Sequence, residues 1–409
     1  VFVIKNKAPG LPLITTLAVV TAFDAMAIDM YLPAFAAIGD ELNADAGSMQ
    51  GTLSVFLVGL ALGQLFYGPL ADRFGRRRPL IVGVVLFIAA TVYAAVAQDI
   101  TSFMTGRFFQ GLGGAAGLVI PRAIVADMCD GHQSARIFSL LIQIMMIAPV
   151  AAPLAGGVLL SISGWHLTFY VLAAIGVFSL LAVLRFVPET LSKENQSKGG
   201  LAHALSGYGQ LFRQPAFMGW TLSGSFAIAG LFAYIGASSF IYTTLFGLSP
   251  AVYSFVFAVN AAGMILTGYV NALLLRYRTA RQVLSVGLVL HIVVLAVLVG
   301  TVLSGVSDVY MTGVLIFISV SALSLILGNV TALIMASNTG SHGSSSSLFG
   351  VLQYVLAGVA GGVMGMAGNG TLLPPVLIML FCALAAAVFN CISTRVHLPV
   401  QTASTGRDI

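Results

Sequence analysis

Twelve apolar stretches set the limits on what this chain can become, each near the ~20 residues that cross a bilayer as an α-helix. They lie at 11–33, 51–71, 79–98, 102–127, 135–160, 166–187, 217–241, 250–275, 282–303, 309–336, 346–367 and 373–394. Each run is long and continuous rather than a ~10-residue alternation, so helices are expected and not a barrel of strands. Most connections are short, which makes consecutive helices antiparallel neighbours. The chain is 58% hydrophobic and only 8% charged. A soluble domain carries about a quarter charged residues, so lipid is the expected solvent here. The first run lacks the short apolar core and small-residue cleavage site of a removable signal and is expected to stay as a span.

The few charges are sorted by side. Lys5, Lys7, Arg73, Arg76, Arg77, Arg78, Arg136, Arg185, Lys193, Lys198, Arg213, Arg276, Arg278, Arg281, Arg395 and Arg407 all fall at one set of span ends. The alternate connections contain no Lys or Arg but carry Asp40, Glu41, Asp45, Asp99 and Asp308. Basic connections stay in the cytoplasm. Both termini are therefore expected there, in a multi-pass membrane protein. The formal charge of +5 is then a topology signal and not a nucleic-acid footprint.

The longest connection divides the spans six and six. The expected organisation is a six-helix bundle over 1–187, a cytoplasmic linker over 188–216, a second six-helix bundle over 217–394 and a tail over 395–409. A weak echo supports duplication: "GPLADRFGRRRP" follows span 2 and "NALLLRYRTARQ" follows span 8. Asp72 has no acidic counterpart in the second copy, where Leu275 stands. Parallel halves of this kind occur in secondary transporters.

Three motifs carry a family resemblance. "GPLADRFGRRRP" fits G-x-L-x-D-R-x-G-R-R at Gly68, Leu70, Asp72, Arg73, Gly75, Arg76 and Arg77; "GRFFQGLGGAAG" in span 4 fits R-x-x-Q-G-x-G-A at Arg107, Gln110, Gly111, Gly113 and Ala115. "APVAAPLAGG" in span 5 matches the end of a Gly-Pro-rich antiporter motif at Pro153, Gly156 and Gly157. With twelve spans, these resemble the major facilitator superfamily. "IDMYLPA", "PRAIVADM" and "SGWHLTF" further resemble its Bcr/CflA group of drug:proton antiporters. His166 stands where that group has Arg, and Asp24 lies outside its pattern. The resemblance implies an all-α integral membrane fold of twelve transmembrane helices in two six-helix bundles. It also implies a charge cluster of Asp72, Arg76 and the acid ending span 4, Asp127.

Ionisable residues inside spans are costly and mark functional positions by default. Asp29 lies about one turn before the expected end of span 1 near Pro33. Arg107 lies about a turn and a half into span 4, at similar depth. The expected pairing has Asp29 exchanging a proton and Arg107 modulating its affinity, against the alternative of a structural ion pair. Asp24 sits five residues earlier, about 140° around the helix at ~100° per residue. It is the other proton site or a contact for cationic substrates. Polar and aromatic groups within spans, Tyr31, Gln143, Phe226, Tyr234, Asn260 and Gln353, are candidate cavity residues. Each is equally explained by a bond to a neighbouring helix. Pro149 and Pro153 are expected to kink span 5, with Gly156 and Gly157 allowing close approach.

The loop after span 2 reads as a gate. Its arginines hold the turn inside, Gly68 and Gly75 permit close approach and a sharp reversal, and Asp72 is expected to dock on the N-terminus of span 11 after Asn338–Ser347. The expected function is proton-coupled export of amphipathic drugs, bicyclomycin- or chloramphenicol-like by resemblance, through alternating access. Export of one metabolite, an amino acid or sugar, is the alternative; a receptor, channel or enzyme is a third class. Against catalysis, the six His and three Cys are scattered, and no G-x-S-x-G, H-E-x-x-H or P-loop occurs. The expected partners are a small-molecule substrate, protons as coupling ion and the lipid bilayer. Neither a cofactor, nor nucleic acid, nor a second subunit is called for.

Overall fold

The computed structural model describes residues 10–129, 131–192, 196, 209, 211–337, 342–367 and 370–396, with side chains 131–136, 138–140, 142, 144, 146, 342–344 and 395–396 left out. The described residues form helices joined by turns. We label the membrane helices α1 (Leu11–Glu41), α2 (Ala46–Phe74), α3 (Arg77–Ala95), α4 (Ile100–Met128), α5 (131–162), α6 (165–186), α7 (Pro215–Leu245), α8 (Pro250–Leu274), α9 (Ala280–Leu303), α10 (Val309–Ser337), α11 (His342–Ala367) and α12 (Leu373–Val396). Eleven described stretches are long and apolar enough to cross a membrane. One of them, Ile147–Phe186, contains a break at Ser163 and Gly164 and makes two passes. Gly164 has φ +72°, a conformation open to glycine at little cost.

Local chemistry explains the ends. Asp45, Asp99 and Asp308 accept hydrogen bonds from the backbone N–H of Ser48, Ser102 and Met311 at 2.8, 2.9 and 2.7 Å. Three of the five acids that the sequence sorts to one side are thus N-caps, of α2, α4 and α10. The Ser48 hydroxyl and amide hold Asp45 below the ordinary carboxylate range, and the Ser102 amide and hydroxyl do the same for Asp99. Helix α1 is longer than the sequence implies. Pro33 removes one backbone donor and tightens residues Leu32–Ala34 into a 3₁₀ turn, after which the helix resumes as Phe35–Glu41.

α4 is the hub of the first bundle. A Cβ on Gly111 would lie 2.1 Å from the Phe56 carbonyl oxygen of α2, and one on Gly117 2.2 Å from the Val20 carbonyl oxygen of α1. Between them, Gly113 takes the backbone of Phe87 on α3. The Gly-rich stretch of span 4 therefore lets three helices touch one.

Between the bundles, α2 packs on α11 and α5 on α8. Calling the side with the arginine-rich turns the basic face and the side with the acidic caps the acidic face, the seams close toward the acidic face. Gly47 meets Gly365, and Gly157 meets Ser254. The apolar core shows the same asymmetry. Toward the acidic face, α1–α6 share one cluster with Tyr234, Tyr253, Leu298, Ile316, Ala357 and Met379 of the second bundle. Toward the basic face, Trp220, Leu284, Ile326, Val330 and Leu348 form a separate cluster. Toward the basic face the second cluster meets the first bundle only along α2, at Leu65 and at the Gln64–Gly350 contact among the described residues, so the bundles part toward that face.

Candidate functional site

Both acids of α1 are buried, Asp24 at 5% and Asp29 at 3% exposure. Because α1 continues to Glu41, Asp29 stands twelve residues, or about 18 Å at 1.5 Å per residue, from the end of its helix. The sequence placed it one turn from that end; the structure moves it toward the middle. The two acids look at different neighbours. Asp24 lies within electrostatic reach of Arg122 on α4 and Tyr354 on α11, and its Oδ1 has no hydrogen-bond partner. Asp29 lies within reach of Tyr234 on α7 and Tyr253 on α8. Arg122 is exposed only six residues before the end of α4, which fits an opening from the basic face that reaches this depth.

Arg107 is fully buried at 0% exposure. It shares the depth of Asp29, since its Nη1 donates to the carbonyl of Ala27 at 2.9 Å. It does not pair with Asp29. Nη1 also donates to Gln110 Oε1, and Gln110 Nε2 in turn donates to Thr91 of α3 at 2.8 Å. The guanidinium rests between the rings of Tyr31 and Phe56, with centroids at 4.0 and 4.5 Å. Cation–π contacts in a water-free setting are worth about 2 kcal/mol each. The R-x-x-Q motif is thus a clamp tying α4 to α1, α2 and α3. The expected ion pair is absent among the described residues: Nη1 is engaged by Ala27 and Gln110, while the buried Nε and Nη2 have no hydrogen-bond partner.

The second bundle presents a cluster of phenols to Asp29. Asn260 donates to the Tyr234 hydroxyl at 2.6 Å, and the hydroxyls of Ser238 and Tyr253 are 2.8 Å apart. The buried Tyr242 hydroxyl has no hydrogen bond of acceptable geometry. Tyr242, Tyr253 and Tyr354 were not singled out in the sequence. A tyrosine in an apolar run is a signal, but nothing along the chain says which of them meet across the bundles.

The other cavity candidates divide. Tyr31 belongs to the interior of the first bundle: its hydroxyl meets Thr52 Oγ1 at 3.2 Å and its ring packs on Arg107, Phe35 and Phe169. Phe226 stacks on Phe389 of α12, 5.6 Å between centroids, inside the second bundle. Gln143 on α5 is exposed, and Gln353 on α11 is half-buried beside Tyr354.

At the basic face the charge cluster assembles. Arg76 Nη1 meets Asp72 at 2.5 Å and Arg76 Nε meets Asp127 at 2.9 Å. Arg73 is exposed and lies over the Phe74 ring. Two residues absent from the sequence reading complete the site. Glu189, just past α6, accepts from the backbone N–H of Arg76 at 2.8 Å and of Arg77 at 3.2 Å. Thr190 donates to Asp127 at 3.0 Å. Gly75 has φ +87°, and a Cβ there would lie 2.3 Å from the Glu189 carboxylate. The positive φ calls for glycine there, and a Cβ would also displace the Glu189 carboxylate from the two amides it holds. Gly68, expected to allow close approach, has nothing within 4 Å of an added Cβ. The proposed docking of Asp72 on the start of α11 falls beside residues 338–341, outside those described.

On α5, the backbone stays helical at Pro149 and Pro153, and the departure comes later, at Ser163 and Gly164. Gly156 does permit close approach, to the backbone of Met30 on α1, and Gly157 approaches Ser254 on α8. Ser163 and Gly164 make the turn into α6, and the close contacts on α5 are where the glycines stand.

Two helical bundles closed at one face, with buried acids at their seam, define a multi-pass membrane transporter of the alternating-access class. The chain belongs to the Major Facilitator Superfamily, whose family model matches residues 17–362. It is 33% identical over 342 residues to the uncharacterized MFS-type transporter YdgK of Bacillus subtilis, covering 83% of this chain and 85% of that one. It is 27% identical to the bicyclomycin resistance protein homolog of Haemophilus influenzae, covering 92% and 94%. Over 178 residues, 44% of this chain and 45% of the other, it is 38% identical to the multidrug resistance protein MdtL of Escherichia coli. Among solved structures, a bacterial homolog of the human lysosomal transporter Spinster, inward-facing and unoccupied, superposes with a TM-score of 0.74 at 18% identity, covering 93% of this chain and 96% of that one. This last likeness concerns the fold.

Proposed function

We propose that the protein exports amphipathic drugs of the bicyclomycin or chloramphenicol kind from the bacterial cytoplasm in exchange for protons. On this reading the basic face is cytoplasmic, the conformation is inward-open, and the protein works as a monomer in the inner membrane. The observation that carries the reading is Asp29. It is a buried carboxyl between the bundles that makes no ion pair or hydrogen bond with a described side chain and is faced by phenols. The protonation of such a group depends on which charges, dipoles and water share its space. Closing the basic face and opening the acidic one changes all three. Asp24, beside Arg122, tunes the field at Asp29 and contacts cationic substrates. The tyrosines and Asn260 offer aromatic faces and hydroxyls to an amphipathic ligand. The names of the bicyclomycin-resistance and multidrug-resistance relatives support the substrate class. Arg76, Asp72, Asp127 and Glu189 latch the basic face of the first bundle, and the segment 188–216 links the two bundles.

A susceptibility panel in an efflux-deficient host tests this. Resistance to several amphipathic drugs, lost in Asp29→Asn at equal expression, is expected. No resistance to any drug, combined with proton-linked efflux of one amino acid or sugar, would replace the reading with a metabolite exporter.

A further inference from the structure

A cleft of about 520 Å³ runs between the basic-face halves of α1 and α6, walled by Leu11, Thr15, Val19, Phe178, Ala182 and Phe186. Its polar groups are already engaged. Thr15, Thr16 and Ser179 donate to the carbonyls of Leu11, Pro12 and Ile175 on their own helices, at 2.9, 2.7 and 2.8 Å. The wall therefore offers a guest only apolar surface. From Leu11 to Val19 the helix rises about 12 Å at 1.5 Å per residue, close to one leaflet of a ~30 Å hydrocarbon core.

Beside Phe186, the last lining residue of α6 at the basic end of the cleft, stands a cation. Arg185 is exposed, and its guanidinium lies 5.4 Å from the centroid of the Phe186 ring that forms the wall. It makes no ion pair or hydrogen bond with a described residue, whereas nearby Arg77 donates to the carbonyl of Leu184 at 2.6 Å. An open cation at the mouth of an apolar slot one leaflet deep matches one chemistry. We propose that this cleft binds an anionic phospholipid of the basic-face leaflet, with an acyl chain between α1 and α6 and the phosphate on Arg185.

The structure supplies an internal control. A second cleft of about 710 Å³ continues toward the acidic face past Val19 and Ile175, between α1, α5 and α6. It is also apolar, but none of its lining residues is charged. It should accept a chain without choosing a headgroup.

The test is native mass spectrometry of the purified full chain in detergent, with phosphatidylglycerol, phosphatidylethanolamine and phosphatidylcholine of identical acyl chains. One basic residue near a lipid surface favours an anionic headgroup about five-fold. Phosphatidylglycerol should be retained with roughly that preference. Arg185→Gln should remove the preference and leave the other two lipids unchanged. Ala182→Trp, and Thr15→Phe from the opposite wall, should lower retention of phosphatidylglycerol. Ala151→Trp in the second cleft should leave the preference intact. Only variants that melt with the parent protein are compared, and the two walls provide independent fillings. Equal retention of all three lipids would overturn the proposal. So would a preference that survives Arg185→Gln, or displacement of the lipid by an amphipathic drug, which would make the cleft a substrate path.

Discussion

Gly47→Val should move the protein out of the conformation described here. Gly47 on α2 and Gly365 on α11 are in backbone contact at the acidic face, and a Cβ on Gly47 would lie 2.4 Å from the Gly365 carbonyl oxygen. Neither backbone can yield without parting the helices. Overpacking of this kind costs about 1–3 kcal/mol, and here it applies only while the acidic face is shut. The gain in helix propensity on replacing glycine is present in both conformations and cancels from their ratio. The ratio of outward-open to inward-open molecules should therefore rise about 5- to 150-fold. Spin labels at Ala46 and Val306, both exposed at the acidic face, report the change in a chain whose Cys129, Cys382 and Cys391 are replaced. Double electron–electron resonance should show a longer distance gaining population in Gly47→Val. Gly362→Val is the control, because an added Cβ there meets nothing within 4 Å. An unchanged distance distribution in folded Gly47→Val would refute the claim that this seam sets the conformation.

Two further outcomes follow from polar contacts, one exposed at the basic face and one buried around Arg107. Gly75→Ala and Glu189→Gln should each destabilise the purified protein by about 1–3 kcal/mol, through a left-handed backbone and through loss of charge-assisted bonds to two amides. The double variant should cost clearly less than the sum, because both act on one contact; additive losses in thermal unfolding would separate Gly75 from Glu189. Arg107→Lys should lose much of the stacking of the planar guanidinium on Tyr31 and Phe56 and weaken the Nη1 bonds to Ala27 and Gln110, about 2–4 kcal/mol. It should nonetheless leave the pH dependence of any residual transport in place, since Arg107 does not contact Asp29; a displaced pH profile would contradict that placement.

Much of this architecture was legible along the chain because bilayer thickness imposes a length and charge imposes a side. The six-and-six division comes from such local rules, and the Asp72–Arg76–Asp127 cluster from the resemblance of the loop motif to its family. What the sequence hid depends on distance in space. Residues 107 and 29 read as a pair because opposite charges at equal depth attract. In the structure, Gln110, the Ala27 carbonyl and two aromatic rings surround the guanidinium instead. Tyr31 looked like a cavity residue for its polar tip, yet Thr52 and Arg107 hold it within the bundle. Pro33 looked like a helix end, but one 3₁₀ turn absorbs it and α1 goes on to Glu41. Glu189 sits in a polar connection where a lone acid carries no signal, and its partners are backbone amides more than a hundred residues away. Gly68 and Gly75 belong to the same motif, but only one of them faces an atom that forbids a side chain.

The central claim is that Asp29 carries the exchanged proton. The most direct measurement is proton release from the purified, unbuffered protein on addition of a transported drug, followed with a pH-sensitive dye. The account predicts release by the parent protein, retention of most of it by Asp24→Asn, and its loss in Asp29→Asn with drug binding still measurable. Full drug-driven release by Asp29→Asn would contradict the account.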